Sequence, residues 1–123
     1  MDEMGLKVRF LEDELGEEIT EEGYRGVNSV WLARERGSLR EFSSRIFRIE
    51  IGGHTSTHAH EREHIALVIK GSCLVECANE RILLGEGSLV EIPSGAPHRF
   101  LNPGQGKLHL LIMNLTPAHG ERS

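Results

Sequence analysis

Apolar and polar residues alternate along the chain from about residue 25 onward, in short runs separated by glycine, proline and asparagine. Successive side chains of a strand point to opposite faces, so this period of two predicts β-strands, and the small polar residues between the runs predict turns. Many short strands with such turns predict an all-β sandwich or barrel. The predicted strands are 27–34, 40–51, 64–70, 72–77, 81–84, 88–92, 98–102 and 107–115.

The chain of 123 residues is long enough for one domain with a substantial core. We therefore predict a single domain over 1–123, with the barrel core at about 25–115 and an acidic N-terminal segment at 1–24. Residues 12–22 hold seven of the nineteen acidic residues, and we interpret them as a solvated face or loop, although LEDELGEEI (11–19) is compatible with a short helix.

Charge, hydropathy and cysteine spacing exclude several classes of protein. A net charge of −5 disfavours nucleic-acid binding, and no run approaches the 18 apolar residues that a membrane helix needs. The N-terminus does not read as a secretory signal. Cys73 and Cys77 would lie about 13 Å apart on one strand, too far for a disulfide. Reduced thiols are typical of the cytoplasm, where we expect the protein.

The sequence HEREH at 60–64 matches both the H-E-x-x-H motif of zinc proteases and its inverse. That chemistry requires a helix that carries His60 and His64 one turn apart, and the neighbouring glycines and strands disfavour such a helix. In the extended alternative, His58 and His60 share one face and His64 opens the next strand. His98, which begins another strand, is then well placed to complete a cluster of imidazoles around a metal ion.

The spacing of these histidines resembles the cupin family. Its first motif, G-x5-H-x-H-x3-E-x6-G, fits residues 52–71, except that His64 stands where the family usually has glutamate. Its second motif, G-x5-P-x-G-x2-H-x3-N, is met at every position of 87–102. The resemblance extends to small single-domain cupins with four histidines, which bind manganese or a similar metal and also share the RGV segment at 25–27 and an arginine at the position of Arg45.

The resemblance implies a double-stranded β-helix, a jelly-roll-like barrel, in which a divalent transition metal binds four histidines. Manganese is the expected ion, with iron, copper, zinc, nickel and cobalt as alternatives, because imidazole suits all of them. Four neutral ligands leave the full +2 charge of the ion, which favours an anionic ligand at its open positions. The implied ligands are His58, His60, His64 and His98.

Arg45 is the candidate catalytic residue, because alternation places it on the same face as Phe47, Ile49 and Ile51. It would hold a substrate carboxylate or a peroxide near the metal; the alternatives are a buried ion pair or a strand end that reaches water. Asn102 is expected to tie the turn NPGQG through its side chain. His54 is expected in a loop, at the surface, with the mouth of the pocket as the alternative, and His109 on the outer face of the last strand.

Together with these residues, the resemblance to cupins implies an oxidoreductase of dioxygenase type that acts on a small oxygenated organic molecule. The alternative is a non-catalytic, metal-anchored module that binds or senses a small molecule, and sugar isomerisation is the least favoured. The partner would be a small, preferably anionic ligand. Cupins commonly form dimers, and the apolar residues Ile65, Leu67 and Ile69, predicted to face outward, fit a homodimer.

Overall fold

Nine antiparallel strands and one turn of 3-10 helix make up the part of the chain that the structure describes. The structure is a computed structural model that describes residues 5–33, 42–57 and 63–115. The 3-10 turn spans Leu11–Asp13. The strands are β1 (Glu17–Glu18), β2 (Arg25–Ala33), β3 (Phe42–His54), β4 (Glu63–Lys70), β5 (Cys73–Cys77), β6 (Glu80–Leu84), β7 (Leu89–Ile92), β8 (His98–Leu101) and β9 (Leu108–Leu115).

All eight strands predicted from alternation are present, so the all-β prediction is confirmed. The largest shift is at the end of β3, which was predicted at residue 51 and lies at His54. The acidic N-terminal segment differs from expectation. Instead of a helix over 11–19 it contains the short 3-10 turn and the strand β1, which pairs with β2.

The sheet is curled, and β3 is the strand at which its parts meet. Hydrogen-bonded neighbours follow the order β6-β5-β8-β3-β9-β4-β7, and β2 also pairs with β3. The first part of β3 pairs with β9 over 42–49, whereas its end at His54 pairs with Leu101 of β8. Since one strand joins both parts of the sheet, the chain forms the half-barrel expected of a cupin jelly roll.

Two glycines allow β3 to change neighbours. Val27 pairs with Ile49 and Arg25 pairs with His54, so residues 50–53 bulge opposite a single residue of β2. Gly52 has a φ of +79°, and a Cβ atom on Gly53 would lie 2.5 Å from the carbonyl oxygen of Arg25. Larger residues would therefore be strained or obstructed here.

The inward face of the sheet forms one hydrophobic core from both parts of the half-barrel. As predicted, Phe47 and Ile49 are buried, but Ile51 is 61% exposed, which corrects the prediction that it shares their face. The bulge at 50–53 breaks the two-residue period just there. The core residues are Val27, Phe47, Ile49, Ala66, Val68, Cys73, Val75, Ile92, Phe100, Leu108, Leu110 and Ile112.

Both cysteines lie on β5 as free thiols, as their spacing predicted. Burial raises the pKa of Cys73 to about 12. Within the described ranges, no helix is long and apolar enough to cross a membrane.

Candidate metal-binding site

Two of the four predicted ligands meet inside the half-barrel. His64 is the second residue of β4 and His98 is the first residue of β8. The Nδ1 atom of His64 lies 3.3 Å from the Nε2 atom of His98, and the ring centroids are 4.8 Å apart with the planes inclined at 77°. Residues 34 positions apart in the sequence thus present imidazole nitrogens to the same point.

His98 is oriented by a contact with its own loop. Its Nδ1 atom lies 2.9 Å from the carbonyl oxygen of Ala96, and the side chain is buried against Phe100. A carbonyl oxygen only accepts, so Nδ1 carries the proton in the neutral ring and Nε2 presents its lone pair towards His64. Carbonyl contacts of this kind fix the tautomer of metal-binding histidines.

The separation of the two nitrogens fits ligands of one ion. Bonds of about 2.0–2.1 Å from each nitrogen, typical of zinc, would span 3.3 Å at an angle of roughly 105–110°. His58 and His60 lie outside the described residues, and metal binding by all four histidines stays a prediction. Among the residues that are described, no three His, Cys, Asp or Glu side chains form a group able to hold a metal ion.

The helical interpretation of HEREH is not compatible with the fold. His64 lies within β4, where it pairs with Asn114 of β9 and Ile92 of β7. A zinc-protease helix would have to include this residue. The extended interpretation, in which His64 opens a strand, is therefore the one that fits the structure.

A cavity of about 310 Å³ adjoins the two histidines, and we call it the histidine cavity. Phe47, Phe100 and Ile112 form the apolar part of its lining, and Arg45 also lines it. Its polar lining includes five residues that the sequence did not single out: Glu21, Tyr24, Thr55, Ser56 and Asn114. The lining therefore combines apolar surface with converging polar groups, as ligand pockets do.

Arg45 is held by aromatic rings. Its guanidinium carbon lies 4.6 Å from the centroid of the Trp31 ring and 4.5 Å from that of Phe47. Trp31 is its cross-strand partner on β2, and Phe47 is two residues away on the same face of β3. Such stacking suits the flat guanidinium group. Arg45 lines the histidine cavity, on the inward side that alternation predicted, and its role there stays a prediction. The stacking was not anticipated.

Asn102 and Thr55 fix the strand that carries His98. The Nδ2 atom of Asn102 donates to the carbonyl oxygens of Ile49 and Gly106, and its Oδ1 atom accepts from Gly104 N–H, which confirms the predicted tie of the NPGQG turn. Thr55 Oγ1 accepts from the N–H of Phe100 at 2.9 Å. Asn102 thus ties the end of β8 to β3, and Thr55 ties β8 to the residue that follows β3.

Cross-strand ion pairs support the outer face of β8. Arg99 donates to Glu76 of β5 at 2.8 Å, and Arg81 of β6 lies 3.1 Å from the same carboxylate. The hydrogen bond from Arg99 is the main reason that the pKa of Glu76 is lowered. These pairs join β8 to β5 in the register that pairs Arg99 with Glu76 and His98 with Cys77.

The other described histidines lie away from the cavity. His109 alternates with the buried Leu108 and Leu110, so its outward position is confirmed. His54 was expected in a loop but is the last residue of β3, half-buried, with Nδ1 3.2 Å from the carbonyl oxygen of Thr55. It is not among the residues that line the histidine cavity.

Comparison with known proteins agrees with this architecture. Residues 45–114 match the family Cupin_2, described as a cupin domain. The polyketide cyclase RemF from Streptomyces resistomycificus has a similar structure (TM-score 0.78, 22% identity, 96% of this chain and 89% of that one). So does Rru_A2000 from Rhodospirillum rubrum, a cupin-2 domain (TM-score 0.73, 22% identity, 89% and 74%). No curated protein of similar sequence was found.

Proposed function

The chain belongs to the Cupin_2 family of cupin domains, and from this premise we propose that it binds a divalent transition metal and oxidises a small oxygenated organic molecule in a dioxygenase-type reaction. The observation that carries the proposal is the meeting of His64 and His98, 3.3 Å apart, beside a cavity of about 310 Å³. Fold alone does not determine a reaction, so the proposal depends on this site.

The metal would be held by His64 and His98 together with His58 and His60. Manganese is the ion we expect, and iron, copper, zinc, nickel and cobalt suit the same donors. When bound, such an ion supplies Lewis acidity and open positions for oxygen ligands. The contact of His98 Nδ1 with the carbonyl oxygen of Ala96 leaves its Nε2 atom unprotonated, so Nε2 would be the atom that coordinates the metal.

The protein's own residues would bind and orient the substrate. Arg45 supplies a positive charge to the cavity, and its stacking on Trp31 and Phe47 restricts the positions of the guanidinium group. We propose that it holds an anionic oxygen of the substrate. Phe47, Phe100 and Ile112 exclude water from the reacting end, which strengthens that charge interaction.

Elemental analysis of the protein as isolated tests the metal site. We expect close to one equivalent of a transition metal per chain in wild type, and loss of most of it in His64→Ala and His98→Ala. His109→Ala is the matched control, because His109 lies on the outer face of the sheet. Full metal content in both site variants would refute the assignment.

Oxygen consumption tests the reaction. Metal-loaded wild type should consume oxygen with a member of a panel of phenols, diketones and hydroxy acids, and His98→Ala should not. Ligand binding without turnover would instead favour the alternative function, a metal-anchored binding or sensing module. Sugar isomerisation remains the weakest alternative, and conversion of a sugar without oxygen uptake would support it.

We also propose that the protein forms a homodimer in the cytoplasm. The segment that precedes the 3-10 turn exposes three apolar side chains: Leu6 is 97% exposed, and Val8 and Phe10 are each 71% exposed. Apolar rows of this kind favour pairing with another chain. Of the predicted outward residues, Ile65 and Leu67 are half-buried and Ile69 is exposed. Light scattering should give twice the chain mass, and Val8→Glu should lower it; a monomeric wild type would refute the proposal.

A further inference from the structure

A second cavity of about 320 Å³ lies next to the histidine cavity, and we call it the Ser29 cavity. Glu21, Tyr24 and Arg45 line both cavities, so these side chains form the boundary between them. The rest of the Ser29 cavity is formed by the inner face of β2 and by the N-terminal segment that contains β1. The N-terminal segment is therefore a wall of this cavity and not only a solvated face.

Ser29 carries a polar atom that the described part of the chain leaves unsatisfied. The residue is 2% exposed, and its Oγ atom has no hydrogen-bond partner among the described residues. It lines the second cavity, beside its cross-strand partner Phe47 and between the inward positions of Val27 and Trp31. An unsatisfied buried hydroxyl destabilises a protein, so this serine is a candidate for a hydrogen bond to a molecule that fills the cavity.

We propose that the Ser29 cavity binds the hydroxyl-bearing end of a ligand whose other end lies beside His64 and His98. The proposal rests on the proposed function, because it extends the same substrate away from the metal. Glu17 is the cross-strand partner of Ser29 on β1, and its carboxylate accepts hydrogen bonds, whereas Arg45 donates them. A hydroxyl group both donates and accepts, and it is therefore the group that suits this mixed lining.

The charge of the lining argues against an anionic distal end. Glu17, Glu18 and Glu21 line the Ser29 cavity opposite the single guanidinium of Arg45. A carboxylate or phosphate placed there would face more acidic than basic side chains. The anionic end of the ligand would therefore lie beside the metal, and the uncharged hydroxyl end beside Ser29.

Size supports a ligand that spans both cavities. Ligand pockets typically measure roughly 300–1,000 Å³, and each cavity alone is close to the lower limit of this range. A ring or chain that reached past Arg45 would use both. Trp31 and Tyr24 offer flat apolar surface along that path.

Three catechols that share a metal-binding end test the proposal: 4-ethylcatechol, 4-(2-hydroxyethyl)catechol and 4-(2-aminoethyl)catechol. Calorimetric titration of manganese-loaded wild type should give a dissociation constant about 3- to 10-fold lower for the hydroxyethyl compound than for the ethyl compound, as expected for one added hydrogen bond. Ser29→Ala should remove this difference and leave the melting temperature unchanged or higher. Ser44→Ala is the matched control, a buried serine on β3 that is not among the residues lining either cavity.

The outcomes separate this proposal from the proposed function. Binding that depends on manganese but does not distinguish the ethyl from the hydroxyethyl compound would overturn the Ser29 cavity assignment alone. A preference that persists in Ser29→Ala, or a stronger preference for the amine, would also overturn it. Failure of all three compounds to bind would count against both the Ser29 cavity assignment and the proposed ligand site at the metal. Binding that is unaffected by removal of manganese with a chelator would count against the metal site instead.

Discussion

Replacing Asn102 with alanine should destabilise the protein strongly, although this side chain does not line the histidine cavity. Asn102 is 2% exposed and makes three hydrogen bonds, to Ile49, Gly104 and Gly106, at 2.8–3.0 Å. At a net 0.5–1.5 kcal/mol each, their loss would lower the free energy of unfolding by about 3 kcal/mol. At about 4 °C per kcal/mol for a chain of this length, the melting temperature should fall by about 12 °C.

The same substitution should affect metal binding only indirectly. Asn102 follows directly after β8, which begins with His98, and it ties the end of that strand to Ile49 of β3. Differential scanning calorimetry measures the stability, and titration with manganese measures the affinity. Gln105→Ala is the control, since Gln105 is an exposed residue of the same turn and should change stability by less than about 0.5 kcal/mol.

Two results would refute this reasoning about Asn102. A melting temperature within about 3 °C of wild type would mean that the three hydrogen bonds contribute little net stability. An unchanged melting temperature with a loss of manganese affinity of about 100-fold, the size expected for a residue that supports a ligand, would place Asn102 in the site itself.

Three further predictions follow from the described contacts. Arg45→Met should weaken the binding of oxalate to the manganese-loaded protein by about tenfold, as measured by calorimetry. Arg45→Lys should weaken it less, because lysine keeps the positive charge and loses only the flat stacking group. Ellman's reagent at pH 8 should react with one thiol of the native protein, that of the half-buried Cys77. It should react with Cys73 only after unfolding, because burial raises the pKa of Cys73 to about 12. Two fast-reacting thiols in the native protein would contradict this. Burial lowers the pKa of His109, and nearby cations, chiefly Lys70, lower it further. On acidification, His109 therefore takes up its proton in the unfolded chain before it does in the folded protein, so the free energy of unfolding should fall below about pH 6.5. Denaturant titrations should show a flatter pH dependence in His109→Gln, and an unchanged slope would contradict the assignment.

The strands were predictable because their information is local. Alternation reports which residues of a strand share a face, and glycine marks the turns between strands. The tie made by Asn102 was also predictable, since an asparagine next to a proline-glycine turn has few other partners within reach. Ile51 shows where such reasoning fails: a bulge that depends on β2 reverses the face of a residue within the same apolar run.

The walls of the two cavities were not predictable in the same way. Glu21 and Tyr24 lie in a segment whose composition indicates only a solvated stretch, and their position follows from the pairing of β1 with β2. Ser29 reads as one polar residue within an alternating run. Its unsatisfied hydroxyl becomes visible only when Phe47 and the N-terminal segment surround it. The residues that surround Ser29 are distant from it in the sequence, and the pattern of a single sequence does not show which distant residues come together.

The register of the strands brings residues that the sequence predicted for the site next to residues that it did not predict. Ser43, Asn114, His64 and Ile92 lie in one row across β3, β9, β4 and β7, because each is the cross-strand partner of the next. A slip of one residue between β4 and β9 would turn His64 away from His98 and keep the alternation of each strand intact. Turns and bulges exclude such slips, so the glycines and Asn102 contribute to the site indirectly, by fixing the register of the strands that carry the histidines.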